Sequence, residues 1–233
     1  MHTVLITGAS RGFGRALFEV YARRGWRTFP LVRDSSVAKQ LRTEAGPECH
    51  PIVGDVSSID TEEQIARVLE RQPEALDVLI NNAGHIKKHR GLQNTTVEDL
   101  LELFGVHCIG AFRCTRGALP FLMRSDRAVV VNISSRWGSI GRTVLGKGGG
   151  IYSYQIAKCA QNMLTASLDQ ELREAGVRVM AVHPGRLKTE AAAPDADTEP
   201  QEAARALVDW IDRVDQHTAF GFYDLMGDRT LEW

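Results

Sequence analysis

Six short runs along the chain are mostly apolar: residues 3–7, 27–32, 51–53, 77–81, 128–134 and 177–183. They lack the in-and-out alternation of a half-exposed sheet, so they predict strands covered on both faces. Helix-compatible stretches lie between them, at 12–24, 62–71, 97–123, 152–174 and 201–214, and residues 220–224 predict a last strand. Strand then helix, repeated along the chain, argues for an α/β fold with a parallel sheet. Right-handed crossovers make that sheet doubly wound. No composition shift marks a boundary and no repeat of solenoid period is present, so residues 1–233 read as a single domain.

Two segments interrupt the pattern. Residues 138–150 carry Gly138, Gly141, Gly146, Gly148, Gly149 and Gly150, and 191–200 is rich in Ala, Asp, Glu and Pro. Both follow strand C-terminal ends, where doubly wound sheets bind ligands, so loops at about 138–151 and 186–200 are expected to face substrate. Plain linkers are the other reading.

Composition narrows the class. With 233 residues and 43% hydrophobic content the chain can bury one sizeable core. A formal net charge of -1 provides no field favouring nucleic acid or an anionic membrane surface. No apolar run approaches the roughly 18 residues of a membrane span. Met1-His2-Thr3 leads straight into the first strand, so no secretion signal is expected. Cys49, Cys108, Cys114 and Cys159 form no Cys-x-x-Cys pair, which points to reduced thiols in a cytoplasmic setting. No metal site is expected: His85 and His89 in the basic loop 85–90 have no third ligand, and that loop reads as a solvated one.

The chemistry begins at Thr7-Gly8-Ala9-Ser10-Arg11-Gly12-Phe13-Gly14, between the first strand and the first helix. Gly8 suits a tight turn off the strand, Gly12 a close approach to pyrophosphate, and Gly14 close packing of helix on strand. The helix start offers unpaired N–H groups and partial positive charge to a phosphate. Gly8, Ser10, Arg11, Gly12, Phe13 and Gly14 are therefore candidate dinucleotide contacts. The second strand ends Val32-Arg33-Asp34, offering both an Arg for a 2′-phosphate and an acid for a free 2′-hydroxyl. Arg33 stands nearer the strand and Arg11 adds a second cation, which favours NADP(H) through Arg–phosphate contacts.

Tyr154-Gln155-Ile156-Ala157-Lys158 places a phenol and an ammonium one helical turn apart on one face. A free phenol has a pKa of about 10, and a cation beside it is expected to lower that value, fitting Tyr154 for proton transfer.

The spacing Gly-x-x-x-Gly-x-Gly after Thr7 resembles the short-chain dehydrogenase/reductase family, and further motifs follow in order. Asn81-Asn82-Ala83-Gly84 matches the family's Asn-Asn-Ala-Gly, bordering the cofactor at Asn82, Ala83 and Gly84. Asp55 and Val56 stand where the family reads adenine, although Asp55 could instead cap a turn. Asn132-Ile133-Ser134-Ser135 resembles the family's Asn-x-Ser-Ser, which makes Ser135 the implied catalytic serine and Ser134 a structural one. Val106-His107-Cys108-Ile109-Gly110 puts His107 where the family carries a catalytic Asn; it could relay protons or be a plain buried histidine. Pro184-Gly185-Arg186-Leu187-Lys188-Thr189 resembles Pro-Gly-x-x-x-Thr, implying nicotinamide contacts at Pro184, Gly185, Leu187 and Thr189. The ending, Phe222 through Gly227 to Trp233, is similar to a carbonyl-reductase subgroup that includes C-factor and sniffer proteins.

The resemblance implies a Rossmann-type fold and NADPH-dependent reduction of a ketone or aldehyde. Ser135 would orient the carbonyl, Tyr154 would give the proton, and Lys158 would tune Tyr154 and hold the ribose. It also implies a homodimer or homotetramer built on the helices at 97–123 and 152–174. A cofactor-binding scaffold and a non-redox dehydratase or epimerase are the competing readings.

Overall fold

The computed structural model describes residues 1–72, 75–87, 89–189 and 196–233. Strands β1 (Thr3–Thr7), β2 (Arg27–Val32), β3 (Ile52–Val53), β4 (Val78–Asn81), β5 (Val129–Ile133), β6 (Arg178–His183), β7 (Phe222–Asp224) and β8 (Arg229–Leu231) form one sheet. Its order is β3-β2-β1-β4-β5-β6-β7-β8. All pairings are parallel except the last, β7 with β8. Every residue of β1, β4, β5 and β6 is buried, which is why these strands show no alternation in sequence.

The helices are α1 (Gly12–Arg23), α2 (Ser35–Ala45), α3 (Thr61–Leu69), α4 (Val97–Phe104), α5 (Gly110–Leu122), α6 (Ile140–Val144), α7 (Tyr152–Leu172) and α8 (Pro200–Ile211). Alternate strand residues feed two cores. Val4, Ile6, Ile80 and Val131 pack with α1 and α8 on one face. Leu5, Leu79, Val130 and Val179 pack on the other, with α3, α5 and the C-terminal end of α7. The chain runs outward from β1 to β3 and then returns to β4. The order therefore reverses between β1 and β4, and the crevice above their C-terminal ends is where this architecture binds ligands.

Four features depart from the sequence reading. α2 occupies residues where no element was expected; only Ala38 and Leu41 on it are buried, so its apolar period is faint. The single helix expected over 97–123 is α4 and α5 joined by one π turn, Gly105–Ile109. The glycine-rich loop contains the short helix α6, which Ser139 caps by accepting from the Arg142 amide at 3.1 Å. β8 is polar and largely exposed, and it forms only because a tight turn brings it back on β7. Of the expected loop at 186–200, residues 190–195 lie outside the described residues, as does Lys88 of the basic loop.

Candidate active site

At the glycine turn the backbone conformation itself selects glycine. Gly8 has a φ of 70°, and a Cβ there would lie 2.8 Å from the Ala83 Cα. A Cβ on Gly14 would lie 2.3 Å from the Gly8 carbonyl oxygen, so α1 is seated directly on the turn. The N-terminal residue before α1, Arg11, makes no side-chain cap hydrogen bond, and the first turn of α1 carries no acidic residue. The orphan N–H groups there suit a phosphate acceptor. The Phe13 side chain is buried in the core, leaving its backbone for a ligand. The Thr7 hydroxyl accepts from the amides of Asn82 and Ala83, each at 2.9 Å, and Asn82 Nδ2 donates to the Thr7 carbonyl at 2.8 Å. These bonds tie the ends of β1 and β4 together at the crevice.

At the adenosine end Arg33 is exposed, with Nη1 3.8 Å from Asp55 Oδ2. The second oxygen of Asp55 accepts from the Ser57 amide at 2.9 Å, so Asp55 does hold a turn. Val56 is buried in the core and can offer backbone only. Asp34 caps α2, accepting from the Ser36 amide at 2.7 Å.

The chemical end is built from β5 and α7. Polar residues at Lys158, Gln161, Asn162, Thr165 and Asp169 form an inward stripe on α7. Ser134 donates to Asn162 Oδ1 at 2.5 Å, which confirms it as a brace between strand and helix. Ser135 instead acts on the Tyr154 phenol, favouring its ionised form, while its Oγ accepts from the Trp137 amide at 3.2 Å. Lys158 Nζ donates to the Ile133 carbonyl at 2.6 Å and to Gln161 Oε1 at 3.0 Å, and lies 5.8 Å from the Tyr154 ring centre. Gln161 escaped the sequence reading, although its position three residues after Lys158 puts it on the same face.

The titration of this pair differs from the expectation. Burial pushes the Tyr154 phenol up to about 12, with the Ser135 hydrogen bond acting in the opposite sense. Burial alone draws Lys158 down to about 7. Desolvation disfavours the charged form of each group.

His107 sits on the π turn with only 2% of its surface exposed. Its ring meets the Tyr154 ring edge-on at 5.4 Å. Nε2 lies 2.8 Å from the His85 carbonyl, and a carbonyl only accepts, so Nε2 carries the proton. Burial, and secondarily the Lys158 charge, holds this imidazole neutral, well below the ordinary histidine range. Nδ1 is therefore a bare acceptor, buried and without a protein partner. Gly84 makes room for it: a Cβ there would lie 2.2 Å from His107 Cε1.

The basic loop is clamped rather than solvated. His85 and Lys87 reach Glu102 at 2.8 and 2.7 Å, and His89 reaches Asp99 at 2.7 Å. This fixes the backbone whose carbonyl holds His107. Among the described residues no group of three His, Cys, Asp or Glu could hold a metal ion. After β6, the β-carbon position of Gly12 faces Thr189 Cγ2 at 3.5 Å, so the loop beginning at Pro184 and Gly185 closes over the glycine turn. Leu187 packs against the core beneath it.

A doubly wound sheet with a glycine turn at its switch point, and a Ser-Tyr-Lys cluster on the neighbouring strand and helix, defines a dinucleotide-binding oxidoreductase fold. The family model for short chain dehydrogenases matches residues 2–200. The chain belongs to that family. A plant protein from Arabidopsis thaliana named NADPH-dependent pterin aldehyde reductase is 29% identical over 190 residues, 81% of this chain and 76% of the relative. C-signal of Myxococcus xanthus is 31% identical over 152 residues, 65% of this chain and 90% of the relative. A solved NADPH-bound carbonyl reductase from chicken fatty liver superposes with a TM-score of 0.90 at 26% identity, covering 100% of this chain and 99% of that one.

Proposed function

We propose that this protein reduces a ketone or aldehyde to an alcohol with NADPH. The observation that carries the reading is the buried hydroxyl pair Ser135–Tyr154 beside Lys158, at the strand ends that also carry the glycine turn. The NADPH-dependent aldehyde reductase and the NADPH-bound carbonyl reductase among its relatives support it.

The fit of the cofactor rests on the uncapped start of α1 and the glycine cradle beneath it. Gly8, Ser10, Arg11, Gly12, Phe13 and Gly14 would hold the pyrophosphate, the cations Arg11 and Arg33 the 2′-phosphate, and Asp55 and Val56 the adenine. Asn82, Ala83 and Gly84 would border the ribose, and Pro184, Gly185, Leu187 and Thr189 the nicotinamide. When bound, NADPH supplies a hydride to the carbonyl carbon and leaves as NADP⁺.

Ser135 donates a hydrogen bond to the carbonyl oxygen and orients it. Tyr154, a neutral phenol at physiological pH, gives that oxygen its proton. Lys158 holds ribose hydroxyls and the proton path behind the phenol. His107 takes the place of the family Asn: its bare Nδ1 accepts a hydrogen bond from water or from the Lys158 ammonium, linking the phenol to solvent. The protein works as a homodimer or homotetramer, and its four free cysteines suit a reducing, cytoplasmic compartment.

Fluorescence titration with NADPH and, separately, NADH tests the reading, because Trp137 lies 6.2 Å from Tyr154, ring centre to ring centre. Strong quenching by NADPH and weak quenching by NADH is the expected result. Tyr154→Phe should keep that binding and lose about 10²–10⁴-fold in carbonyl reduction. Failure to bind either nucleotide would overturn the reading.

A further inference from the structure

Lys158 is pinned at its base. A Cβ on Gly138 would lie 2.8 Å from the Lys158 Cβ, so the turn after β5 packs directly on the root of this side chain. No carboxylate among the described residues pairs with its ammonium. Two neutral oxygens answer the charge instead, the Ile133 carbonyl at 2.6 Å and Gln161 Oε1 at 3.0 Å. An ammonium carries three N–H groups. Those bonds take two of them and leave one, with the Tyr154 ring centre 5.8 Å from Nζ.

The two acceptors differ in kind. The Ile133 carbonyl is strand backbone, whereas Gln161 is a side chain at a position where α7 faces inward. Gln161 is 1% exposed, and burying an amide is costly unless it is hydrogen-bonded. Its neighbours on the inward stripe bind the frame. Asn162 accepts from Ser134 and donates to the Gly138 carbonyl at 3.2 Å. Thr165 accepts from Asn132 Nδ2 at 2.9 Å, and Asp169 from the Val179 amide at 3.4 Å. Gln161 differs from these three in that its side chain binds a member of the Ser-Tyr-Lys cluster. Its backbone is held from behind, since the Thr165 hydroxyl donates to the Gln161 carbonyl at 2.8 Å.

We propose that Gln161 is a positioning residue for the reaction: by taking one proton of the Lys158 ammonium, it leaves a single N–H for the nicotinamide ribose and fixes the charge beside the Tyr154 phenol. It acts through Lys158 alone. This inference rests on the reductase reading above and adds a residue to its machinery.

Two readouts test it, NADPH affinity by tryptophan quenching and NADPH oxidation with 4-nitrobenzaldehyde. Gln161→Leu should lower kcat about tenfold and leave the aldehyde KM within about twofold, the pattern of a misplaced catalytic group. It should also weaken NADPH binding about threefold. Gln161→Glu, which keeps an acceptor oxygen, should retain kcat within about threefold of the wild type. In a Lys158→Met background, adding Gln161→Leu should leave NADPH affinity unchanged, because the group it acts through is gone. Should Gln161→Leu fail to fold, Gln161→Met carries the same expectations. A variant indistinguishable from the wild type in both readouts, or a loss of affinity that persists undiminished beside Lys158→Met, would overturn the positioning role and leave the reductase reading intact. The affinity cycle decides the inference even where this aldehyde is not turned over. A wild-type protein that binds no NADPH would overturn the reductase reading and this inference with it.

Discussion

Lys158 is the residue whose environment differs most from what its position in the sequence suggests. It is 3% exposed and held by the Ile133 carbonyl and Gln161, so burial lowers it to about 7 from an ordinary 10.5. Between those values the unfolded chain binds more protons than the folded one. The contribution is therefore fully present above about 10.5 and is lost as pH falls through about 7. Replacing Lys158 with Met removes it. Thermal unfolding of the two proteins from pH 7 to 10.5 should show the wild type gaining on the variant as pH rises, and parallel curves would contradict the burial of an ionisable amine. His107 gives a second prediction at this scale. His107→Asn should retain reduction within about threefold, while His107→Leu should lose roughly 10²-fold, the range expected when a proton-transfer partner is removed. Equal activity in all three proteins would reduce His107 to a packing residue.

Among the elements, α2 and the π turn carry the sharpest consequences. Asp34 caps α2 through the Ser36 amide, and Ser36 hydrogen bonds hold its carboxyl below the usual range. Asp34→Ala should lower the urea midpoint of unfolding, as loss of a cap does, and should leave the ratio of NADPH to NADH affinity unchanged. A shift of that ratio would mean that Asp34 reads the ribose. The π turn Gly105–Ile109 holds one residue more than an α-helical turn, and it is what aims His107 at Tyr154. Gly84 is matched to it, since a Cβ there would strike the imidazole. Gly84→Ala should leave the secondary structure seen by circular dichroism unchanged and reduce activity about tenfold or more, since small displacements of catalytic groups are costly.

Across the whole molecule the distribution of polar groups is inverted on α7. Its inward face holds Lys158, Gln161, Asn162, Thr165 and Asp169, while Met163 on the outward face is 68% exposed. α4 packs beside it, and Leu101 there is 67% exposed. A helix pair with apolar residues facing solvent calls for a cover, and a second copy of the same pair would supply one. Sedimentation velocity should find a dimer or tetramer for the wild type and a monomer for Leu101→Asp combined with Met163→Asp. A monomeric wild type would remove the oligomer from the proposal. Among the described residues no helix is long and apolar enough to cross a membrane.

The sequence by itself determined the strand–helix alternation, the glycine turn and the placing of Ser135, Tyr154 and Lys158, because each is written in local patterns. Continuous apolar runs mark doubly covered strands, glycines mark positive φ or contact, and a four-residue spacing marks one helical face. It also separated Ser134 from Ser135, through the family pattern, and the Asn162 bond bears out the structural role of Ser134. It did not locate α2, whose two buried residues leave almost no period, or β8, whose polar strand forms through pairing with β7. Only the tertiary structure decided the charges. Spacing placed a cation beside a phenol, but the burial of both, set by β5 and the inward face of α7, moved Tyr154 up to about 12 and Lys158 down to about 7. Desolvation and long-range charge depend on what surrounds a group in three dimensions, and a linear pattern carries that information only for its nearest neighbours.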